Sequence, residues 1–307
     1  MSIHRLVKYL FTVLILVSYI GLVLFSISSN KEVLQKNSYW DWYRNYVSQS
    51  SKGTFVNTGT QEDPVALSES QGYGMLITLL AAQKGYTKED QFMRLFHYYK
   101  ANRISEQNTL MKWKQKKSPN GWSSVDQNNA TDGDLDIAYA LIQADKLWPD
   151  SFEQYGLAAQ QLLASIKAHN YSEKTGLLTV GYWATVDSKA ETMIRTSDMI
   201  PHYFETFAAY TKDPFWTKLE AHTTKALTQM SQQTSTGLLP DFAWVTASSI
   251  TPLKPNEIAG KNDGDYAYNA ARVPLRLADS DKPEVKKTLD KMLMFFEKQP
   301  VIYGGYT

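Results

Sequence analysis

The run Gly72–Ala82, GYGMLITLLAA, is apolar nearly all round a helical wheel. Such a helix is buried on every side. The stretch from Val285 reads differently: Val285, Leu289, Met292, Leu293 and Phe296 recur at three- and four-residue steps with Lys and Asp between them. That is a surface helix with one buried stripe. Full burial alternating with one-sided burial points to two concentric layers of helices, an α/α barrel.

Outward from these two segments, the periodicity predicts helices at about 39–49, 70–84, 88–103, 133–148, 152–169, 193–211, 214–233, 266–279 and 284–298, with little strand signal. The intervening loops 104–131, 171–192 and 235–265 are long, aromatic and polar, and loops of that length in a compact domain usually carry function. No linker divides residues 38–307, which read as one domain.

Residues Tyr9–Ile27 carry no charge and reach about 28 Å as a helix, roughly the hydrocarbon thickness of a bilayer. A cleavable signal has a shorter apolar core, so a retained transmembrane anchor at 9–27 is the first expectation. A cleaved signal using Ser26-Ile27-Ser28, with a secreted product, is the second, and a buried soluble helix the third. Arg5 and Lys8 before the span place 1–8 as a cytoplasmic stub, 28–37 as a linker, and the body outside a single-pass cell-membrane anchor.

The chain holds 32 basic and 31 acidic residues among 307, and only the two bases Arg5 and Lys8 fall in the first thirty, leaving 30 against 31. That balance gives the body no electrostatic case for nucleic acid. Cysteine is absent, which excludes disulfides, thiolate metal sites and a Cys nucleophile. Phosphate-loop, zinc-protease and nucleophile-elbow motifs are missing, and the five His are scattered, so no metal or cofactor is expected. Tyr, Phe and Trp make up 13% of the chain, and large aromatics line pockets for sugars and other flat ligands or fill a core.

Three junctions concentrate chemistry. In Leu67–Met75, LSESQGYGM, Glu69 precedes the buried helix, and two glycines follow where a ligand or another backbone must come close. The alternative is that Ser68 or Glu69 only caps the helix. In Ala130–Ala138, ATDGDLDIA, Asp132 suits an N-cap, but three acids at alternate positions exceed what capping and the helix dipole need. A calcium loop fails on its Gly and Glu positions. In Tyr266–Arg276, YAYNAARVPLR, Arg272 and Arg276 share one face of an apolar helix and call for acid partners at the other junctions. Pro274 kinks that helix or marks its first turn.

The run ATDGDLDIAYALIQADKLW, Ala130–Trp148, resembles the signature of glycoside hydrolase family 8, and SESQGYGM and YNAARVPLR follow in that family's order and at similar separations. The resemblance implies an (α/α)6 double-layered barrel and an inverting endo-hydrolase of β-linked glucan, xylan or chitosan. Nine helices are read where that barrel needs twelve, so it is either incomplete or closed by segments read as loops. By motif, Glu69 would be the general acid and Asp132 would sit at the sugar on the non-reducing side of the cut. Many members have an Asp base where this chain has Asn269. A branch resembling the family's chitosanases also has Asn there and takes its base from a Glu in the preceding loop, which makes Glu257 in PNEIAGKNDGDYAYN the first candidate. Asp263 and Asp265 come second, and a baseless glycan binder third. Trp122, Tyr182, Trp183, Trp244 and Tyr268, with Asn269 and Arg272, are expected to touch a polysaccharide bound to a monomer.

Inversion needs two carboxyls about 6.5–9.5 Å apart with a water between. A proton on Glu69 requires burial and a neighbouring carboxylate, Asp132 or Asp134, to outweigh the helix dipole.

Overall fold

In the computed structural model, which describes residues 3–118, 121–184 and 187–307, the all-round apolar run lies in α2 and the striped one in the last helix. The helices are α1 (Ile3–Tyr46), α2 (Ser68–Gln83), α3 (Glu89–Ala101), α4 (Thr131–Leu147), α5 (Tyr155–His169), α6 (Pro201–Thr211), α7 (Pro214–Gln233), α8 (Val273–Ala278) and α9 (Pro283–Glu297). From α2 on they pack as successive hairpins, α2 with α3, α4 with α5, α6 with α7 and α8 with α9. The first member of each pair also meets the first member of the next. That is the expected double layer: α4 is buried through most of its length, whereas α9 buries Val285, Thr288 and Met292 alone.

Two glycines set how closely the inner layer packs. A Cβ on Gly72 would lie 2.6 Å from Asp136 Cβ, and one on Gly133 would lie 2.5–2.7 Å from Ser68 and the Glu69 nitrogen. The missing side chains let the starts of α2 and α4 lie against each other, which brings the first two junctions together. The backbone that the Gly72 position admits is another helix.

The expectation of an all-α fold holds for the packed helical layers, with short strands added in the loops. Among the described residues, short strands form four antiparallel sheets: β1 (Val47–Ser50) with β2 (Gly53–Val56); β3 (Val65–Leu67), β4 (Lys114–Ser118) and β5 (Gly121–Ser124); β6 (Tyr171–Ser172) with β7 (Leu177–Leu178); and β8 (Met193–Arg195), β9 (Phe242–Val245) and β10 (Ile250–Pro252). They lie in the loops and are too short to give a period-two signal. The helix expected at 39–49 stops at Tyr46, because Val47–Ser50 pairs with β2 across a tight turn at Gly53 (φ +124°). The helix expected at 193–211 begins only at Pro201. Proline disfavours helix in the residue before it, and Met193–Arg195 pair instead with Phe242–Trp244. The helix expected at 266–279 shrinks to a 3-10 turn and α8, with Pro274 in the first turn as one of the two expectations had it.

Helix α1 runs without a break through 28–37, the stretch expected to be a linker. Its span from Tyr9 is long and apolar enough to cross a membrane, and its apolar side chains there stay exposed rather than packing on the body. Its far end, around Tyr39 and Trp42, joins α2 through Ala81 and Ile77.

Candidate active site

Glu69 occupies the first turn of α2 without capping it. Ser70 does that work: its hydroxyl accepts from the Leu67 N–H (3.2 Å). The Glu69 carboxyl instead meets Arg272 Nη1, and the same nitrogen donates to Asp132 Oδ2 at 2.9 Å. One guanidinium thus bridges the first two junctions from the third. Glu69 keeps 34% of its side chain open to solvent while Asp132 keeps 1%, so Asp132 forms the floor and Glu69 the accessible face.

The three alternating acids of α4 have three destinations. Asp132 takes Arg272 and also Arg195 Nη2 at 2.7 Å. Thr131 is the first residue of α4, so Asp132 lies inside the first turn rather than at the N-cap. Asp134 accepts from the Met111 N–H (2.8 Å) and Asn129 Nδ2 (2.7 Å), and burial pushes it up to about 8 while those two donors pull down. Asp136 closes a two-pronged pair with Arg276 (2.6 Å on each prong) and accepts the Tyr203 hydroxyl (2.9 Å). Arg272 and Arg276 therefore pair with acids at the other junctions, but only Arg272 reaches the open face.

Burial raises Glu69 above the usual carboxylate range, and the ionised Asp132 raises it further. Arg272 and Arg195 oppose the rise without reversing it. Burial also pushes Asp132 upward, but Arg195 and Arg272 outweigh it and leave Asp132 below its ordinary value. The two neighbouring carboxyls are thus driven apart, Glu69 toward keeping a proton and Asp132 toward staying ionised.

Arg195 and Asp198 were hidden in the segment read as helix. Arg195 ends β8 and holds Asp198 with Nε (2.8 Å) and Nη2 (3.1 Å); burial pushes Asp198 up to about 6 against the pull of Arg195. The polar run Arg195–Asp198 before Pro201 was the available signal, since charged and hydroxyl side chains there break the apolar period.

Glu257 stands on an exposed loop. Its Oε2 accepts from Trp244 Nε1 (3.0 Å) and the Lys254 N–H (2.8 Å), and Lys189 Nζ lies 3.4 Å from Oε1. The Lys254 and Trp244 hydrogen bonds, with Lys189 beside them, hold it below the usual carboxylate range. The β8–β9 ladder connects this loop to the floor. Phe242 pairs with Arg195 and Trp244 with Met193, so the two ends of the ladder are about 7 Å apart along the strand.

The other expected residues divide. Asp263 is buried, and its two oxygens accept the N–H groups of Ile258, Ala259 and Gly260; it staples the Glu257 loop instead of facing solvent as a base. Asp265 is half-buried and gives its backbone carbonyl to the Asp241 N–H (2.7 Å). Tyr182, Trp183 and Tyr268 are exposed, and Trp244 is half-buried beneath Lys189. Trp122 departs from its expected place on the trench. Its ring packs on Phe55 with centroids 4.6 Å apart, and its N–H donates to the Tyr98 hydroxyl (2.7 Å), so it leans on the core as a half-buried ring. Asn269 lies beside Arg272, accepting its Nη2 at 2.7 Å.

Comparison with known proteins identifies the family. The sequence pattern described as glycosyl hydrolases family 8 matches residues 14–306, and the chain belongs to that family. A β-glucanase of Niallia circulans is 34% identical over 243 residues, covering 78% of this chain and 58% of that protein. An endoglucanase of Bacillus sp. strain KSM-330 is 33% identical over 79% of this chain and 54% of its own length. The chain thus spans little more than half of these relatives. The apo structure of a β-1,3-1,4-glucanase from Paenibacillus sp. X4 superposes with a TM-score of 0.82 at 30% identity, covering 90% of this chain and 76% of that one. A cold-adapted family 8 xylanase shares the fold at 21% identity and a TM-score of 0.68.

Proposed function

We propose that this chain is an inverting endo-glycosidase that cuts a β-linked polysaccharide, with Glu69 as the general acid. The observation that carries the reading is the Glu69–Arg272–Asp132 bridge: a solvent-facing carboxyl raised by burial beside one kept ionised by two arginines. In the proposed step Glu69 donates its proton to the glycosidic oxygen as that bond breaks, and Asp132 stabilises the positive charge growing on the sugar. A water attacks the opposite face and loses its proton to Glu257, the loop carboxylate that Trp244 of the ladder holds. Tyr182, Trp183, Trp244 and Tyr268 stack on neighbouring sugars. The fold reading completes the double layer as the family's (α/α)6 barrel. β-Glucan comes first among substrates, a reading that the relatives' names support, and chitosan second, since a polymer of protonated amines suits an acidic trench. Helix α1 acts as a membrane anchor that holds the body outside the cell, where an exported polysaccharide would pass.

A second reading follows from Glu257. Three donors already engage it and hold its proton affinity low, which suits a polysaccharide-binding scaffold with little turnover.

Purified protein offered mixed-linkage β-glucan, carboxymethyl cellulose, xylan and chitosan separates the two. The hydrolase reading expects new reducing ends of inverted anomeric form, seen by proton NMR, and their loss in Glu69→Gln without loss of folding. Release that persists in Glu69→Gln refutes the assignment of the acid. Binding without turnover, unchanged by Glu257→Ala, establishes the scaffold. Extraction of the full chain from membranes by detergent, and not by alkaline carbonate, tests the anchor.

A further inference from the structure

Asp241 sits just before β9, buried, and bonds directly to none of Glu69, Asp132 or Arg272. Its Oδ1 accepts three backbone N–H groups, from Ala267 (3.1 Å), Asn269 (3.0 Å) and Ala270 (2.8 Å). That oxygen staples the turn leading into Arg272. The second oxygen, Oδ2, does something a staple does not need: it accepts the side-chain Nδ2 of Asn269 at 3.1 Å. Asn269 then presents its Oδ1 to Arg272 Nη2 at 2.7 Å, while Nη1 of the same guanidinium reaches Glu69 and Asp132. Ser197 Oγ is the other acceptor for Nη2, at 3.0 Å.

The run is carboxylate, amide, guanidinium, carboxylate pair, and its polarity has one solution. An amide offers a donor at one end and an acceptor at the other. With Nδ2 toward Asp241 and Oδ1 toward Arg272, both neighbours are satisfied. Turned over, the amide would set a donor against the guanidinium and an oxygen against the carboxylate. A carboxylate at 269 would set oxygen against oxygen at the same separation.

We propose that Asp241 is a positioning residue: by dictating which way the Asn269 amide points, it holds Arg272 on Glu69 and Asp132, and it is the reason that residue 269 carries an amide. The inference rests on the hydrolase reading for its consequence in turnover, and on geometry alone for its consequence at Glu69.

The exchange D241N/N269D tests it. In D241N two amide donors face each other, and in N269D two carboxylates do. In the exchanged pair the amide oxygen at position 241 still accepts the three backbone N–H groups. The amide nitrogen there donates to the carboxylate now at position 269, whose free oxygen accepts from Arg272. Each single variant is expected to lose kcat by about 10- to 100-fold, the scale of a misplaced catalytic group, with KM changed much less. The exchange is expected to recover most of that loss together with the melting temperature. A second readout needs no turnover. With carbon-13-labelled Glu, the Glu69 carboxyl in D241N should titrate at higher pH than in the native chain, because Arg272 disengages and its charge no longer opposes the proton. The proposal is overturned if D241N leaves both kcat and the Glu69 titration unchanged. It is equally overturned if the exchange restores the melting temperature but not kcat. A native chain without turnover defeats the hydrolase reading, and the Glu69 titration then decides the positioning claim by itself.

Discussion

Glu69 and Glu257 are both carboxylates beside a cation, yet the chain holds them by opposite means. Glu69 stands on the first turn of a buried helix, fixed by a guanidinium that also grips a floor acid with 1% exposure. Glu257 stands on an exposed loop, fixed by an indole N–H, a backbone N–H and a surface lysine. Asp132 and the two arginines that grip it have lost most of their water and depend on each other, and Glu69 shares one of those arginines. Charges on the rim keep their water, and a pair there contributes little to stability. The difference teaches that stability and turnover should respond together on the floor and separately on the rim.

The largest expected effect is on the floor. Arg272→Met leaves Asp132 with one cation and Glu69 with none in contact, and breaking a buried pair costs about 3–5 kcal/mol. Urea unfolding should show that loss, and turnover should vanish with it. On the rim, Glu257→Gln should lower kcat by roughly 10²–10⁴-fold, the usual worth of a general base, with the unfolding midpoint unmoved. If Glu257→Gln unfolds as readily as Arg272→Met, the division into floor and rim is broken.

Smaller effects sharpen it through pH. Asp132→Asn removes a negative neighbour that raises Glu69. The acid should then lose its proton at lower pH, and the alkaline limb of kcat should move down. Lys189→Ala removes a positive neighbour that lowers Glu257, so the base should ionise at higher pH and the acidic limb should move up. This last shift should shrink in added salt, because the pair is exposed; the Asp132→Asn shift should persist. Opposite salt behaviour would show the two regions wrongly assigned.

Much of the floor was legible in the sequence, for a physical reason. Gly72 close after Glu69, Asp132 and Asp136 among acids more numerous than capping needs, and two arginines on an apolar face are each costly unless they meet one another, and they do; Gly74 and Asp134 find other partners, in Val56 and in Met111 with Asn129. Trp122 was misleading because an aromatic ring serves a core as well as a sugar, and nothing in its neighbours distinguishes the two. Arg195 was missed because strand β8 has three residues, too few to show a period, and its partner β9 lies almost fifty residues away.

The order of helices, the alternation of buried and striped faces, the apolar span in α1 and the need of Arg272 and Arg276 for acid partners all followed from local pattern, because burial writes itself into spacing along a chain. Which of two arginines four residues apart reaches solvent, which of three alternating acids joins Glu69, and which way the Asn269 amide turns depended on contacts between segments far apart. Those choices are made by distance and dielectric in three dimensions, and a list of residues contains neither.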